Sequence, residues 1–307
     1  MPPTTPHALL PLFQRFLATR RRGLAGLDAL IVASGLSRPT LLFLPRVAEQ
    51  PPTGASAAAL RPGAPYATLD PHEPWLTEAT AANALARDET GHYRLTMRGH
   101  ETVAALEHAA TSHLATLRPL PADELHALAD HLATIAAGLD EAADSPHAHV
   151  IRARRLAAFA TTAASAPLVR IERAISALAL VRDDAHIAAW QTARFPPTLL
   201  AILTPLWRGD AETSAELQTL LAPLQGPDDI AAHLEELLEQ GYIEWKRGLL
   251  QPTRAGYNVR ETIESDTDDH YFRQWPPLTP ADLAHLHDTL TRLLAALPAP
   301  PPPSPTK

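Results

Sequence analysis

The apolar positions of the chain repeat at helical spacing over long stretches, broken by short pieces that alternate like strands. In the second half, "LVRIERAISALALVRDDAHIAAWQTA" predicts one long helix that stops before Phe195, Pro196 and Pro197. "PTLLAILTPLW" opens the next helix, with Pro197 in the first turn, where a missing N–H costs nothing. "AETSAELQTLLAPL" predicts a third, closed off by Gly226 and Pro227. In the fourth, "PDDIAAHLEELLEQGY", Ile230, Leu234, Leu237 and Leu238 share one face, Asp228 and Asp229 occupy the dipole-favoured first turn, and Gly241 ends the helix. The period then changes. "YIEW", "KRG" and "LLQP" predict a tight two-stranded hairpin, and Thr253 is placed to cap the helix that follows.

Much of this pattern occurs twice. "YRLTMRGHETVAALE", Tyr93 to Glu107, is echoed by "LLQPTRAGYNVRETIE", Leu249 to Glu264, with Thr96 and Gly99 answering Thr253 and Gly256. "PTLL" stands at Pro39 to Leu42 and again at Pro197 to Leu200. After "RPLPADEL" and "PPLTPADL", the positions Leu125, Leu128, Leu132, Ile135 and Leu139 match Leu283, Leu286, Leu290, Leu293 and Leu297. Separate anchors that keep one spacing point to a tandem duplication. The leucines, alternately three and four apart, form one apolar seam per helix, which either pairs with a helix like itself or covers its own domain's core.

In the first copy the corresponding elements are a helix at "SRPTLLFLPRVAEQ", an irregular piece from Pro51 to Pro65, a helix in "DPHEPWLTEATAANAL" and a hairpin "ARDETGHYRL". The expected fold is mainly α, with two winged helix-turn-helix lobes related by internal duplication. Each lobe carries a small β-hairpin wing and a C-terminal leucine-seam helix. The expected organisation is a divergent first lobe over 1–143, a connector over 144–166, a second lobe over 167–298 and a proline-rich disordered tail over 299–307.

Residues 167–298 resemble the MarR-type winged-helix regulators, through "LLEQGYIEW", "LQPTRAGYNVRETIESDTDD" and "WPPLTPADLAHLHDTLTRLL". "YRLTMRG" and "PLPADELHALADHL" extend the similarity to the first copy, and "RDDAHIAAW" with "LWRG" is similar to tandem winged-helix proteins. The resemblance implies a DNA-binding transcriptional regulator: a dimer with two recognition helices in successive major grooves, wings on the flanking backbone and a small-molecule effector between the lobes. A duplicated chain would fuse the halves of such a dimer, so a monomeric pseudo-dimer or a homodimer is expected.

Composition narrows the partners. The chain of 307 residues is 46% hydrophobic, which excludes a disordered protein, and its formal charge of -8 excludes a general nucleic-acid binder with a basic footprint. There is no Cys, hence no disulfide framework and no thiolate metal site. The N-terminal Arg cluster follows a short apolar run, the reverse of a secretory signal, and the longest uncharged run, Leu156 to Val169, is too short to span a bilayer. A cytoplasmic protein with no membrane partner is expected.

Base reading needs Arg, Lys, Asn or Gln aimed into a groove. From Pro227 to Gly241 there is no Lys or Arg, while Asp228, Asp229, Glu235, Glu236 and Glu239 are present; the first-copy helix carries Asp70, Glu73 and Glu78. Both helices repel phosphate, which departs from the family pattern. The DNA-contact candidates are therefore Lys246, Arg247 and Arg254 at the second wing, and Arg152, Arg154 and Arg155 in "IRARRL", with Arg20, Arg21 and Arg22 as further cations. The alternative for each is a polar hairpin tip or a solvated helix face. A degenerate winged-helix scaffold that binds a protein or a small ligand without reading DNA is the rival reading.

Candidate effector residues are His186, Trp190, Trp207, Tyr271 and Trp275, aromatics suited to a small apolar or aromatic molecule; the alternative is that they anchor the core. Asp183 with His186, and Asp266 with His270, share helix faces, but interlobe hydrogen bonds and a His186–Trp190 packing pair account for them better than a metal does. With no HExxH, GxSxG, P-loop or Rossmann glycine pattern, no enzyme activity, cofactor or metal is expected.

Overall fold

The computed structural model describes residues 5–298 apart from 25, 51–52, 61–64, 71, 139–149 and 163–164. The expected connector "GLDEAADSPHAH" falls largely, and the tail 299–307 wholly, outside the described residues. The fold is mainly helical. After a short 3-10 turn at Pro6–Leu9 come α1 (Leu10–Thr19), α2 (Leu27–Ser34), α3 (Arg38–Ala48), α4 (Ala57–Leu60) and α5 (Glu73–Ala81). Strands β1 (Leu85–Arg87) and β2 (Tyr93–Leu95) precede α6 (Met97–Thr116), α7 (Ala122–Ala137), α8 (Val150–Ala160) and α9 (Pro167–Thr192). Then follow α10 (Pro197–Arg208), α11 (Ser214–Leu221), α12 (Pro227–Glu239), β3 (Ile243–Lys246), β4 (Leu249–Pro252), α13 (Arg254–Phe272) and α14 (Pro280–Ala296). Each strand pair is an antiparallel hairpin.

The chain divides into two compact units, and neither follows chain order. One comprises 1–33, 104–184 and 271–307; the other comprises 34–103 and 185–270. Each unit thus draws on both halves of the sequence.

The second unit holds both hairpins with the short helices around them. One core gathers Phe195, Leu199, Leu203, Leu217, Leu237 and Ile263, all buried, from α10 to α13 and the adjoining loop. Thr213 caps α11 through a capping box with Glu216, which satisfies two otherwise orphaned helix-end donors. In the other part of this unit, α3 packs on α5 and β2. Phe43 stacks on His72 at 5.2 Å between ring centroids, and Trp75 lies 5.3 Å from Phe43. His72 is buried, and its pKa is lowered by burial and then by the Arg46 charge, which keeps the ring neutral.

Each hairpin passes into its long helix through one set of bonds. The Thr96 amide donates to the Ala84 carbonyl at 3.1 Å, and the Thr253 amide to the Tyr242 carbonyl at 2.9 Å. Thr96 Oγ1 donates to the Asn83 carbonyl at 2.7 Å, and Thr253 Oγ1 to the Gly241 carbonyl at 2.6 Å. The amides of Gly99 and Gly256 donate back to those threonine hydroxyls at 3.1 and 3.2 Å. Asn83 and Gly241 both have positive φ, 57° and 70°, where each helix hands over to its first strand. A bridge from Ala55 to Tyr93 is answered by the Leu250 amide on the Glu212 carbonyl at 2.8 Å.

The first unit is a helical assembly in which α1 packs on α14, and α7 on both α8 and α14. The described leucine-seam positions are all buried, from Leu125 to Ile135 and from Leu283 to Leu297; Leu139 lies outside the described residues. Arg292 of α14 bridges to Glu124 of α7 at 2.6 Å. Helix α9 enters this unit with Leu168, Val169, Arg170, Ile171 and Glu172 all buried, so its charges are paired. Arg170 Nη2 reaches Asp130 at 2.6 Å and its Nε donates to the Ala160 carbonyl. Glu172 Oε1 accepts from Arg20 Nε at 2.7 Å and Arg21 Nη2 at 2.6 Å.

Candidate functional site

The β3–β4 hairpin is built for a tight turn. Arg247 and Gly248 take φ of 56° and 80°, the left-handed pair of a type I′ turn, whose twist matches that of the flanking strands. Trp245 pairs with Leu250 and Lys246 with Leu249, so the register delivers Lys246 and Arg247 to the tip. Lys246, Arg247 and Arg254 are all exposed, and none has an ion-pair partner among the described residues. Trp245 is 56% exposed beside them and Tyr257, one turn into α13, 46%.

The β1–β2 hairpin is different in charge. Asp88 accepts from the Thr90 hydroxyl at 2.7 Å, from the His92 amide at 3.0 Å and from Arg94 Nη2 at 2.8 Å. These bonds, led by the Thr90 hydroxyl, hold its carboxyl well below the usual carboxylate range. Arg87 lies over the Tyr93 ring at 5.5 Å. The cations of this hairpin are spent within it.

Helix α12 presents acids and no cation. Asp228, Glu235 and Glu239 are exposed, and the N-terminal end of the helix is occupied by a segment of the first half of the chain. The Thr68 hydroxyl donates to Asp229 Oδ2 at 2.6 Å, and the amides of Thr68 and Leu69 donate to the Leu224 carbonyl at 3.0 and 3.1 Å. Buried Gln225 donates to the carbonyls of Tyr66 and Thr198, both at 3.0 Å. In α5, Glu78 accepts from the amide and hydroxyl of Ser37 and from the Thr40 hydroxyl, tying that helix to the start of α3.

The other cations predicted from sequence divide in fate. Arg155 is exposed on α8, while the side chains of Arg152 and Arg154 lie outside the described residues. Arg20 and Arg21, read as part of a basic run, are engaged by Glu172 instead. Sequence periodicity carries no signal for that partner, which sits some 150 residues away in the chain.

The five effector candidates fall in different units. Tyr271 and Trp275 belong to the first, in an aromatic cluster with Phe272 and Phe13; their rings lie 5.4 Å apart and Tyr271 is fully buried. In the second, His186 Nδ1 sits 2.9 Å from Thr267 Oγ1, which brings "RDDAHIAAW" and "ESDTDDHYF" together through a hydrogen bond. Trp190 is half-buried against the core there. Trp207 carries the Arg260 guanidinium 4.7 Å from its ring and donates from Nε1 to Glu261 at 3.1 Å. Arg260 was not singled out from sequence, although its i,i+4 partner Glu264, at 2.5 Å, is legible there. Among the described residues no group of three or more His, Asp or Glu is placed to hold a metal ion, and no single helix is long and apolar enough to cross a membrane.

No curated protein and no solved structure matches the chain. A helix-turn-helix family matches it over residues 95–300, a span that takes in α6 to α14 and the β3–β4 hairpin. The match covers more than half of the 307 residues, so the chain belongs to the helix-turn-helix family, a class of DNA-binding regulators.

Proposed function

We propose that the chain is a MarR-like transcriptional regulator whose two lobes arose by tandem duplication, and whose contact with DNA is made by the β3–β4 wing. The observation that carries this reading is the rigid I′ hairpin with Lys246 and Arg247 at its exposed tip and Arg254 at its base. Three cations on so short a stretch suit phosphate contact or insertion into a minor groove. The duplication is supported by the matched Thr and Gly bonds of the two hairpin exits. The contact of α7 with α14 favours a single chain acting as a pseudo-dimer. An effector of small apolar or aromatic type would engage Trp190 and Trp207, which are half-buried, more readily than Tyr271 and Trp275, which would have to leave a packed core. His186, bonded to Thr267, positions that neighbourhood. Arg155, Arg152 and Arg154 are proposed as secondary phosphate contacts.

The test is selection of fragmented genomic DNA by the purified protein at two salt concentrations, followed by sequencing. A discrete enriched motif is expected, with a salt slope of about -3 from the three wing cations alone and of about -5 when Arg152, Arg154 and Arg155 also meet phosphate. Absence of enrichment at both concentrations favours a second reading, a winged-helix scaffold that binds protein or ligand and not DNA. The observation behind that reading is the α12 N-terminus, acidic and closed by Thr68 and Leu69.

A further inference from the structure

A groove of about 530 Å³ opens in the first unit between the exposed face of α6, Phe159 of α8, and Ser165 and Ala166 just ahead of α9. That volume is in the range of pockets that hold small organic ligands. Its lining combines an aromatic ring with a guanidinium. Arg173 of α9 lies 5.4 Å from the centroid of the Phe159 ring, and Phe159 is 39% exposed. Arg173 Nε is buried and makes no hydrogen bond; the nearest acid, Glu172 Oε2, is 4.0 Å away. Glu172 is already held by Arg20 and Arg21 through its other oxygen, so three guanidinium groups share one carboxylate and positive charge is in excess. Among the described residues the Nη nitrogens of Arg173, which lines the groove, make no hydrogen bond either, so their donors are unspent.

The remaining lining sets the ligand's character. Ala104, Ala115, Ala166 and Val169 give small apolar walls, and the exposed Ser112 supplies a hydroxyl. Two further titratable groups, Glu107 and His108, also line the groove, and a carboxylate there disfavours a second negative charge on the ligand. We propose that this groove binds a small monocarboxylate with an apolar body, the carboxylate on Arg173 and the apolar part along Phe159 and the alanines. Arg pairs with carboxylates through two parallel N–H bonds, a geometry that a singly charged planar anion satisfies. The site is independent of DNA contact and stands whether or not the wing reads DNA.

Ligand-observed NMR on the full-length protein tests it, with benzoate and hexanoate as probes and benzamide and inorganic phosphate as controls. Saturable binding of at least one carboxylate is expected, at least about tenfold tighter than benzamide, with phosphate not competing. Arg173→Gln should weaken that binding about tenfold or more while leaving the melting temperature nearly unchanged. Ser112→Leu, on an exposed helix face, should abolish it by filling the groove, and decides the matter if Arg173→Gln proves unstable. Binding of neither carboxylate, equal binding of benzamide, or unchanged binding in both variants overturns the proposal.

Discussion

A Cβ atom on Gly256 would stand 2.1 Å from the carbonyl oxygen of Tyr242, and one on Gly99 would stand the same 2.1 Å from the carbonyl oxygen of Ala84. Real side chains do not approach so closely. Each glycine lets the first turn of a long helix lie directly on the backbone that enters its hairpin, and the preceding threonine bonds that same passage. The recurring T-x-x-G phrase is thus a steric requirement of one junction, met twice.

Gly256→Ala should therefore force the helix away from the hairpin, at a cost of about 1–3 kcal/mol, the usual range for overpacking. Gly99→Ala should cost a similar amount. An exposed-glycine control, Gly209→Asn, should change stability far less, because nothing lies within 4 Å of a Cβ there and Asn tolerates its φ of 75°. Chemical denaturation of the three variants reads the difference; equal midpoints would contradict the junction argument.

Charge reversal at the wing, Lys246→Glu with Arg247→Glu, should lower DNA affinity at least about tenfold and flatten the salt dependence by about two counterions. Arg94→Glu in the first hairpin should have a smaller effect on DNA, because that guanidinium already pairs with Asp88 at 2.8 Å. Binding isotherms at several salt concentrations separate the two. Equal effects would mean that both hairpins meet the nucleic acid.

These elements were legible because Gly, Pro and Thr punctuate them. Pro197, Gly226, Pro227 and Gly241 set helix boundaries that the structure repeats within a few residues, and the hairpin lies where "YIEW" and "LLQP" predict it. What was not legible depends on distant partners. Arg20 and Arg21 read as a solvated basic run until Glu172 is seen beside them, and Phe159 has no periodic relation to Arg173. The signal nearest to hand was the start of α9: Leu168, Val169 and Ile171 surround Arg170 and Glu172 so closely in sequence that a buried first turn requires partners for both charges. The two compact units were hidden for a related reason, since each is assembled from both halves of the chain.

Acid should destabilise the protein in two steps. Burial alone would raise the Glu172 carboxyl, but the charges of Arg21 and Arg20 outweigh it and hold the group below the ordinary 4.5. A depressed carboxyl contributes stability that is present above the unfolded pKa and is lost as pH falls from about 4.5 through the folded value. His72 is depressed from 6.5, so protonation favours the unfolded chain and its contribution begins to fall below about pH 6.5. Glu172→Gln should cost about 1–3 kcal/mol at neutral pH, because it leaves the partly buried guanidinium groups of Arg20 and Arg21 without their counterion, and should flatten the lower step alone. Thermal melts from pH 7 to 3 would show it. A lower step of unchanged size in Glu172→Gln would assign that step to other carboxylates.

The closure of α12 makes the last prediction. Thr68 joins the first half of the chain to Asp229 in the first turn of α12, and the backbone amides of Thr68 and Leu69 complete the contact on Leu224. Thr68→Val keeps the shape and removes the hydroxyl donor, leaving a partly buried carboxylate short of one bond. The expected loss is about 1–2 kcal/mol. Its location matters more than its size: hydrogen exchange should quicken at residues 66–69 and in the first turn of α12, and stay unchanged in the β3–β4 hairpin. If DNA affinity rises in the same variant, the segment is a cover that the second unit must open before α12 approaches a groove. If affinity is unchanged while exchange quickens, the acidic helix takes no part in binding and the wing acts alone.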